Sequence, residues 1–175
     1  MIKNNNKLKA MEFFFKYPER KFHLRELERL TGLSMPGVRK IVNGLEKAGI
    51  LKSKKEKLVK NYHASRNDKF VQLKRAYNIY SIFSSGLLDF LKNKYEEPEA
   101  IVLFGSFGRG EDISKSDLDI AVLAPKHIES NLSKFEKRLG RKIKLYEITL
   151  KKAHTEFLNT LANGIVLYGY LKVIQ

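Results

Sequence analysis

The 175-residue chain contains no cysteine and no tryptophan, and it has only four prolines. The lack of cysteine excludes disulfides and thiolate metal sites, and it is compatible with a reducing compartment. No apolar run approaches the roughly 18 residues that a transmembrane helix needs. The first residues also lack the apolar core of a secretion signal. These absences predict a cytoplasmic protein that has no membrane partner.

Acidic residues are few beside the basic ones, with 19 Asp and Glu against 34 Lys and Arg, a net charge of +15. Residues 1–67 hold 17 basic and 6 acidic residues, which makes +11, whereas residues 68–175 hold 17 and 13, which makes +4. Positive charge concentrated in one part of a chain is typical of nucleic-acid binding. A generally lysine-rich composition is the alternative, but it does not explain the asymmetry.

Residues 7–66 show the pattern helix, helix, short turn, helix, hairpin. Tyr17-Pro18 ends the first predicted helix, and residues 31–33 break the second. Ser34 is placed to cap the third helix. Two short strands follow, at residues 50–53 and 57–64, around a turn at 54–56. The buried stripe of the third helix is predicted to comprise Val38, Ile41, Val42 and Leu45.

This order resembles the winged helix-turn-helix family, of the bacterial and archaeal kind in which residues 45–51, LEKAGIL, close the recognition helix. The resemblance covers about 60 residues and implies binding to double-stranded DNA through the major groove. Arg39 and Asn43 are the expected base readers, and the hairpin lysines are expected to contact phosphates. A solvated charged face or a protein-interaction module is the alternative. The predicted DNA-binding residues are Ser34, Gly37, Arg39, Lys40, Asn43, Lys47, Lys52, Lys54, Lys55, Lys57 and Lys60.

Residues 68–95 predict one long helix with a wide apolar face, ending before the Glu-Glu-Pro-Glu segment at 96–99. This face packs on one of the two flanking domains, or it pairs with its copy in a homodimer. A homodimer would offer two recognition helices to a palindromic DNA site.

Residues 103–123, LFGSFGRGEDISKSDLDIAVL, hold a glycine-serine turn between two apolar runs. In the second run, Asp117 and Asp119 are two residues apart and therefore share one face of a strand. Two such carboxylates can bind hard cations and leave coordination positions open for phosphates. Backbone N–H groups at Gly105-Ser106 are suited to a triphosphate.

This segment resembles the signature of the polymerase-beta superfamily of nucleotidyltransferases, in its minimal nucleotidyltransferase (MNT) branch. The resemblance extends over roughly residues 98–171 and includes the closing segment at 163–169. It implies that Asp117 and Asp119 bind Mg²⁺ or Mn²⁺ and act in catalysis. It also implies that Gly105, Ser106 and Arg109 bind the phosphates of a nucleoside triphosphate. Pairing of Arg109 with Glu111 or Asp112 is an equal alternative.

The family pattern places a third carboxylate on a later strand, in an Arg-Lys-apolar-Asp-Leu run. Here residues 140–145 read GRKIKL, so Lys144 stands where the aspartate is expected. Lysine would repel Mg²⁺ at close range, yet it could bind a nucleotide phosphate. The nearest acid, Glu147, points to the opposite face of a regular strand. It becomes a third catalytic candidate only if a bulge re-aims it.

Together the patterns predict an α+β protein of two domains: a winged helix-turn-helix at 1–66, a connecting helix at 67–97 and a nucleotidyltransferase-like domain at 98–175. The predicted function is DNA binding in transcription regulation, joined to binding of a Mg-nucleotide and transfer of a nucleotidyl group. The alternative is a catalytically inactive domain that senses nucleotide or, as in MNT antitoxins, binds a helical HEPN-type protein. A further interpretation, an RNA-handling enzyme, is disfavoured because the major groove of A-form RNA is too narrow for a helix.

Overall fold

The chain folds into two units, Met1–Lys74 and Arg75–Gln175, and each combines helices with its own sheet. A computed structural model describes residues 5–56, 58–124, 128, 130–150 and 153–172. The mixed α and β content agrees with the α+β class expected from the sequence. Within the described residues, no helix is long and apolar enough to cross a membrane.

In its described residues, the first unit contains three complete helices, the start of a fourth, and a three-stranded antiparallel sheet in the order β1-β3-β2. Its core is aromatic and aliphatic, and the rings of Phe14 and Phe22 meet edge to face with centroids 5.1 Å apart. The elements are α1 (Asn6–Lys16), β1 (Phe22–His23), α2 (Leu24–Thr31), α3 (Met35–Lys47), β2 (Leu51–Glu56) and β3 (Val59–Ala64).

Helix α3 begins where the sequence predicts. The Oγ of Ser34 accepts a hydrogen bond from the N–H of Gly37, and Pro36 lies in the first turn, where its missing N–H costs nothing. Within the predicted stripe, Ile41 is only half-buried, and the other three residues are buried: Val38, Val42 and Leu45. The stripe therefore packs inward, and the polar residues of α3 lie on the outer side.

The hairpin differs from the sequence prediction in two ways. Strand β2 continues through Glu56, which pairs with Val59, so the chain reverses after Glu56 and not at 54–56. Lys57 lies outside the described residues. The two-residue strand β1 was not predicted, because a strand this short has no measurable alternation; it is recruited by pairing with β3.

The prediction of one long helix over residues 68–95 is wrong. The segment forms two helices, α4 (Asp68–Ser85) and α5 (Leu87–Lys94), and the division between the two units falls within α4. Gly86 separates them in the left-handed conformation, with φ of +79°, which interrupts the helical hydrogen bonding. The buried Ser85 Oγ accepts a hydrogen bond from the N–H of Leu87 and restarts the helix.

The second unit is built on a four-stranded sheet in the order β6-β5-β4-β7. Strand β4 is antiparallel to both of its neighbours, whereas β5 and β6 are parallel. Apolar side chains cover both sheet faces, so the central strands β4 and β5 are almost wholly buried. The elements after α5 are β4 (Ala100–Phe104), α6 (Gly105–Arg109), β5 (Leu118–Leu123), α7 (Ser133–Leu139), β6 (Ile143–Ile148), α8 (Thr155–Ala162) and β7 (Ile165–Gly169).

Candidate functional site

The glycine-serine turn and the second aspartate lie side by side at one edge of the second unit's sheet. Strands β4 and β5 pair with Phe104 opposite Asp119, so Asp119 is next to Gly105, the first residue of α6. Gly105 has φ of +72°, and a Cβ at this position would overlap the Asp119 carboxylate. A side chain here would therefore displace that carboxylate, which explains why the turn holds glycine.

Lys144 stands on the same sheet face as both aspartates. The parallel register of β5 and β6 places it opposite Asp119, and its Nζ lies 2.7 Å from an Oδ of Asp117. The hydrogen bond to Asp117 raises the pKa of Lys144, so its ammonium remains charged at neutral pH. Lys144 thus lies beside both aspartates, and its position as the counterpart of a third carboxylate stays a prediction.

Asp119 is half-buried. Burial raises the pKa of its carboxyl, although the nearby Lys144 ammonium acts in the opposite direction. The hydroxyl of Tyr146 lies 3.5 Å from a carboxylate oxygen of Asp119, and the Tyr146 ring contacts Phe104 and Phe157. Tyr146 was not among the residues predicted from the sequence, although its even spacing from Lys144 on one strand placed it on this face.

Glu147 does not join the aspartates. It accepts hydrogen bonds from the Tyr95 hydroxyl and from the backbone N–H of Ile128, which lies 2.8 Å away. The pairing of β6 with β5 runs without interruption over the strand, so there is no bulge that would turn Glu147 toward Asp117. Its candidate role as third catalytic carboxylate fails for this reason.

Arg109 forms an exposed ion pair with Glu111, at 2.7 Å, which was one of the expected alternatives. Asp112, the other alternative, is buried and paired with Arg141 at 3.0 Å, and it accepts a hydrogen bond from Asn78 at 2.8 Å. Asp112 and Arg141 therefore stabilise the interior of this unit.

Gly105 also lines a cleft of about 360 Å³. This cleft brings together Gly105, Arg109 and Arg75, so two guanidinium groups line it. Arg75 had no sequence signal, because it lies on α4, which is far from the turn in sequence. The remaining lining residues are Leu103, Phe104, Gly108, Thr160, Asn163, Gly164 and Ile165.

The family comparison concerns this same part of the chain. Residues 86–171 match the family model described as polymerase beta, nucleotidyltransferase. They form a nucleotidyltransferase-type domain. The match begins before α5 and extends past β7, and it includes the turn, both aspartates and Lys144. Searches of curated proteins and of solved structures returned no match.

The donor set of this nucleotidyltransferase-type domain does not fit the divalent cations that the resemblance implies. Asp117 is already paired with an ammonium, and Glu147 faces the other side of the sheet. Across the described residues, no three His, Cys, Asp or Glu side chains are grouped so that they could hold a metal ion. The predicted Mg²⁺ or Mn²⁺ at Asp117 and Asp119 therefore meets a positive charge where a third ligand would be needed.

Outside the nucleotidyltransferase-type domain, the predicted DNA-binding residues of α3 lie mainly on its outer side. Arg39, Lys40 and Lys47 are exposed, as is the capping Ser34. Asn43 is half-buried, and its Oδ1 accepts a hydrogen bond from the hydroxyl of Tyr62. The arginine and the lysines are thus presented to solvent, whereas the asparagine is held by the hairpin.

The hairpin lysines are exposed but differ in their partners. Lys60 forms an ion pair with Glu46 at 2.9 Å and lies over the ring of Tyr62. Lys55 is directly opposite Lys60 across the hairpin, and within the described residues it has no ion pair. The other two described lysines of this group, Lys52 and Lys54, are also exposed.

Proposed function

We propose that this protein binds double-stranded DNA as a regulator of transcription, and that its nucleotidyltransferase-type domain binds a nucleotide without transferring it. The observation that carries the second half is the 2.7 Å ion pair between Lys144 and Asp117, on the face where transfer would require a carboxylate. The first half depends on the architecture and charge of the first unit.

The arrangement of the first unit supports DNA binding. Three helices followed by a β2-β3 hairpin, with β1 as third strand, is the arrangement of a winged helix-turn-helix, in which α3 is the recognition helix. The inner side of α3 is buried, and its outer side presents Arg39 and Lys40. Arginine pairs well with guanine in the major groove, so Arg39 is the main candidate for base contact.

Charge supports the same proposal. The +11 carried by residues 1–67 is the electrostatic signature of contact with phosphates. Lys52, Lys54 and Lys55 project from the hairpin in the position of a wing, where they would contact the DNA backbone.

The cleft beside Gly105 supports nucleotide binding. Its two arginines supply positive charge for a phosphate chain, and the opening of about 360 Å³ offers space for part of a nucleotide. Gly105 both lines this cleft and abuts the Asp119 carboxylate. A ligand in the cleft would thus extend past the turn toward Lys144.

Transfer makes a further demand that this site does not meet. A nucleotidyl group moves only when an attacking hydroxyl is activated and charge on the reacting phosphate is stabilised. Glu147, the candidate third carboxylate, is held by Tyr95 on the opposite face. We therefore propose that the domain senses nucleotide, and that nucleotide binding changes the affinity of the protein for DNA.

An active transferase is the second candidate. The observation that favours it is that Asp117 and Asp119 share a face next to the turn, as the resemblance implies. Incubation with labelled nucleoside triphosphates, Mg²⁺ or Mn²⁺ and candidate acceptors distinguishes the two. We expect no incorporated label. Label that appears with the wild-type protein and disappears in Asp117→Ala would establish the transferase instead.

Gel-shift titrations at several salt concentrations test the DNA half. We expect affinity to fall steeply as salt rises, and Arg39→Ala to weaken binding and relax base preference. Lys137→Ala, which removes one exposed positive charge from α7, is the control and should bind DNA as the wild type does. An affinity that does not change with salt would contradict DNA binding.

A further inference from the structure

The ammonium of Lys144 lies where a nucleotidyltransferase of this family is expected to bind cations. Its side chain is 58% exposed, so the ammonium is accessible from solvent although it is paired with Asp117. An ammonium carries three N–H donors, and the hydrogen bond to Asp117 uses one of them. A phosphate oxygen arriving at this face would therefore meet a positively charged donor.

We propose that Lys144 takes the place of the divalent cation, so that the phosphates of a nucleotide bind this domain without metal. Asp117 orients the ammonium, and the ammonium bonds a phosphate oxygen. This inference rests on the proposed nucleotide binding and adds to it the mode by which the phosphates are held.

Charge balance on the sheet face supports the proposal. Three carboxylates would carry −3 and would need cations before a polyphosphate could approach, whereas Asp117, Asp119 and Lys144 together carry −1. The cleft that Gly105 lines adds Arg75 and Arg109, although Arg109 also pairs with the exposed Glu111. Basic side chains therefore lie on the aspartate face and at the cleft, and Gly105 borders both.

The register of the sheet makes this arrangement a fixed feature. Lys144 lies within β6, opposite Asp119, and the register on both sides of it is regular. Rotation about the side-chain bonds of Lys144 can move the ammonium, but the strand keeps the Cβ of Lys144 on the carboxylate face. A cation introduced between the aspartates would thus share the face with this side chain.

Calorimetric titration of the full chain tests the proposal, with ATP, GTP, CTP, UTP and inorganic tripolyphosphate as probes, each in EDTA and in Mg²⁺. We expect at least one nucleotide to bind the wild type with a Kd that differs less than about threefold between the two conditions. Lys144→Gln should weaken binding in EDTA by about 10- to 100-fold, because a charge-assisted hydrogen bond is lost. Lys144→Asp should bind only when Mg²⁺ is present.

Lys137→Gln is the matched control, since it removes an exposed lysine on α7, and it should leave both Kd values unchanged. Thermal melting of each variant verifies that it folds, and replacement of an exposed lysine should leave the fold intact. Wild-type binding that requires Mg²⁺ would overturn the inference and leave nucleotide binding intact. Equal binding of wild type and Lys144→Gln in EDTA would also overturn it. Absence of binding under both conditions would overturn the inference and the nucleotide half of the proposed function together.

Discussion

The Nζ of Lys144 lies 2.7 Å from Oδ2 of Asp117, so a cation of the chain itself occupies the carboxylate face of the nucleotidyltransferase-type domain. This pair changes the chemical meaning of the Asp-x-Asp motif. Two aspartates with an exposed ammonium can orient a phosphate, but they do not assemble the acidic set that binds two divalent cations.

Asp119→Asn is expected to raise the Tm at neutral pH. Burial raises the pKa of Asp119 above its ordinary value of 3.8, so the folded protein binds this proton more tightly than the unfolded chain does. The free energy of unfolding therefore falls as pH rises through the raised pKa, and it stays lower at pH 7. Asparagine removes this cost. Calorimetric melting at several pH values should show a higher Tm for Asp119→Asn than for the wild type at pH 7. This difference should disappear below the ordinary aspartate pKa.

Asp117→Asn is the control for that experiment. It removes the carboxylate that pairs with Lys144 and should not raise the Tm. If both variants raised the Tm equally at pH 7, general relief of charge would explain the result, and burial of Asp119 would not.

Gly105→Ala is expected to abolish nucleotide binding at a modest cost in stability. The left-handed backbone costs alanine about 1–2 kcal/mol, and the added methyl group displaces the Asp119 carboxylate. Gly140→Ala is the matched control, because Gly140 has φ of +65° and open space around its Cα. Both variants should lose similar stability in urea titrations, and only Gly105→Ala should lose the ligand. If both variants lost nucleotide binding, destabilisation would explain the effect of Gly105→Ala.

Arg141→Met is expected to destabilise the protein by about 3–5 kcal/mol, because it removes a buried guanidinium that pairs with the buried Asp112 carboxylate. Arg109→Met breaks an ion pair of the same type whose two side chains are more than half exposed, and it should cost less than about 1 kcal/mol. Urea unfolding followed by circular dichroism compares the two variants. Equal losses would contradict the role given to burial.

Lys55→Ala is expected to reduce the salt dependence of DNA binding more than Lys60→Ala does. Each phosphate contact contributes about 0.9 to the slope of log affinity against log salt. The two lysines face each other across the hairpin, but the ammonium of Lys60 is bound to Glu46 and would have to leave it to reach a phosphate. Gel-shift titrations give the two slopes. A larger change for Lys60→Ala would show that its ion pair opens on DNA.

Local features of the fold were predictable because short-range sterics and hydrogen bonding decide them. The Ser34 cap requires a hydroxyl three residues before a helical N–H, which is visible in the sequence. The opposite orientations of Lys144 and Glu147 follow from the two-residue period of a strand. These predictions needed no knowledge of distant contacts.

Other features depended on pairing between distant segments. Strand β1 exists only because β3 lies beside it, and the hairpin reverses later than predicted because β2 and β3 pair as far as Glu56 and Val59. The position of Arg75 at the cleft depends on how the part of α4 that begins at Arg75 packs within the second unit. Neither periodicity nor a motif encodes such placements.

The sequence alone determined the uneven charge of the two halves, the turn at Gly105, and the even spacing that puts Asp117 and Asp119 on one face. The tertiary structure decided what that face contains. Only the parallel pairing of β5 with β6 places Lys144 beside Asp119 and within reach of Asp117, while Glu147 is held by Tyr95 on the other side. The reason is physical: covalent geometry sets which way a side chain points from its strand, but the register between strands is set by contacts between residues far apart in the chain.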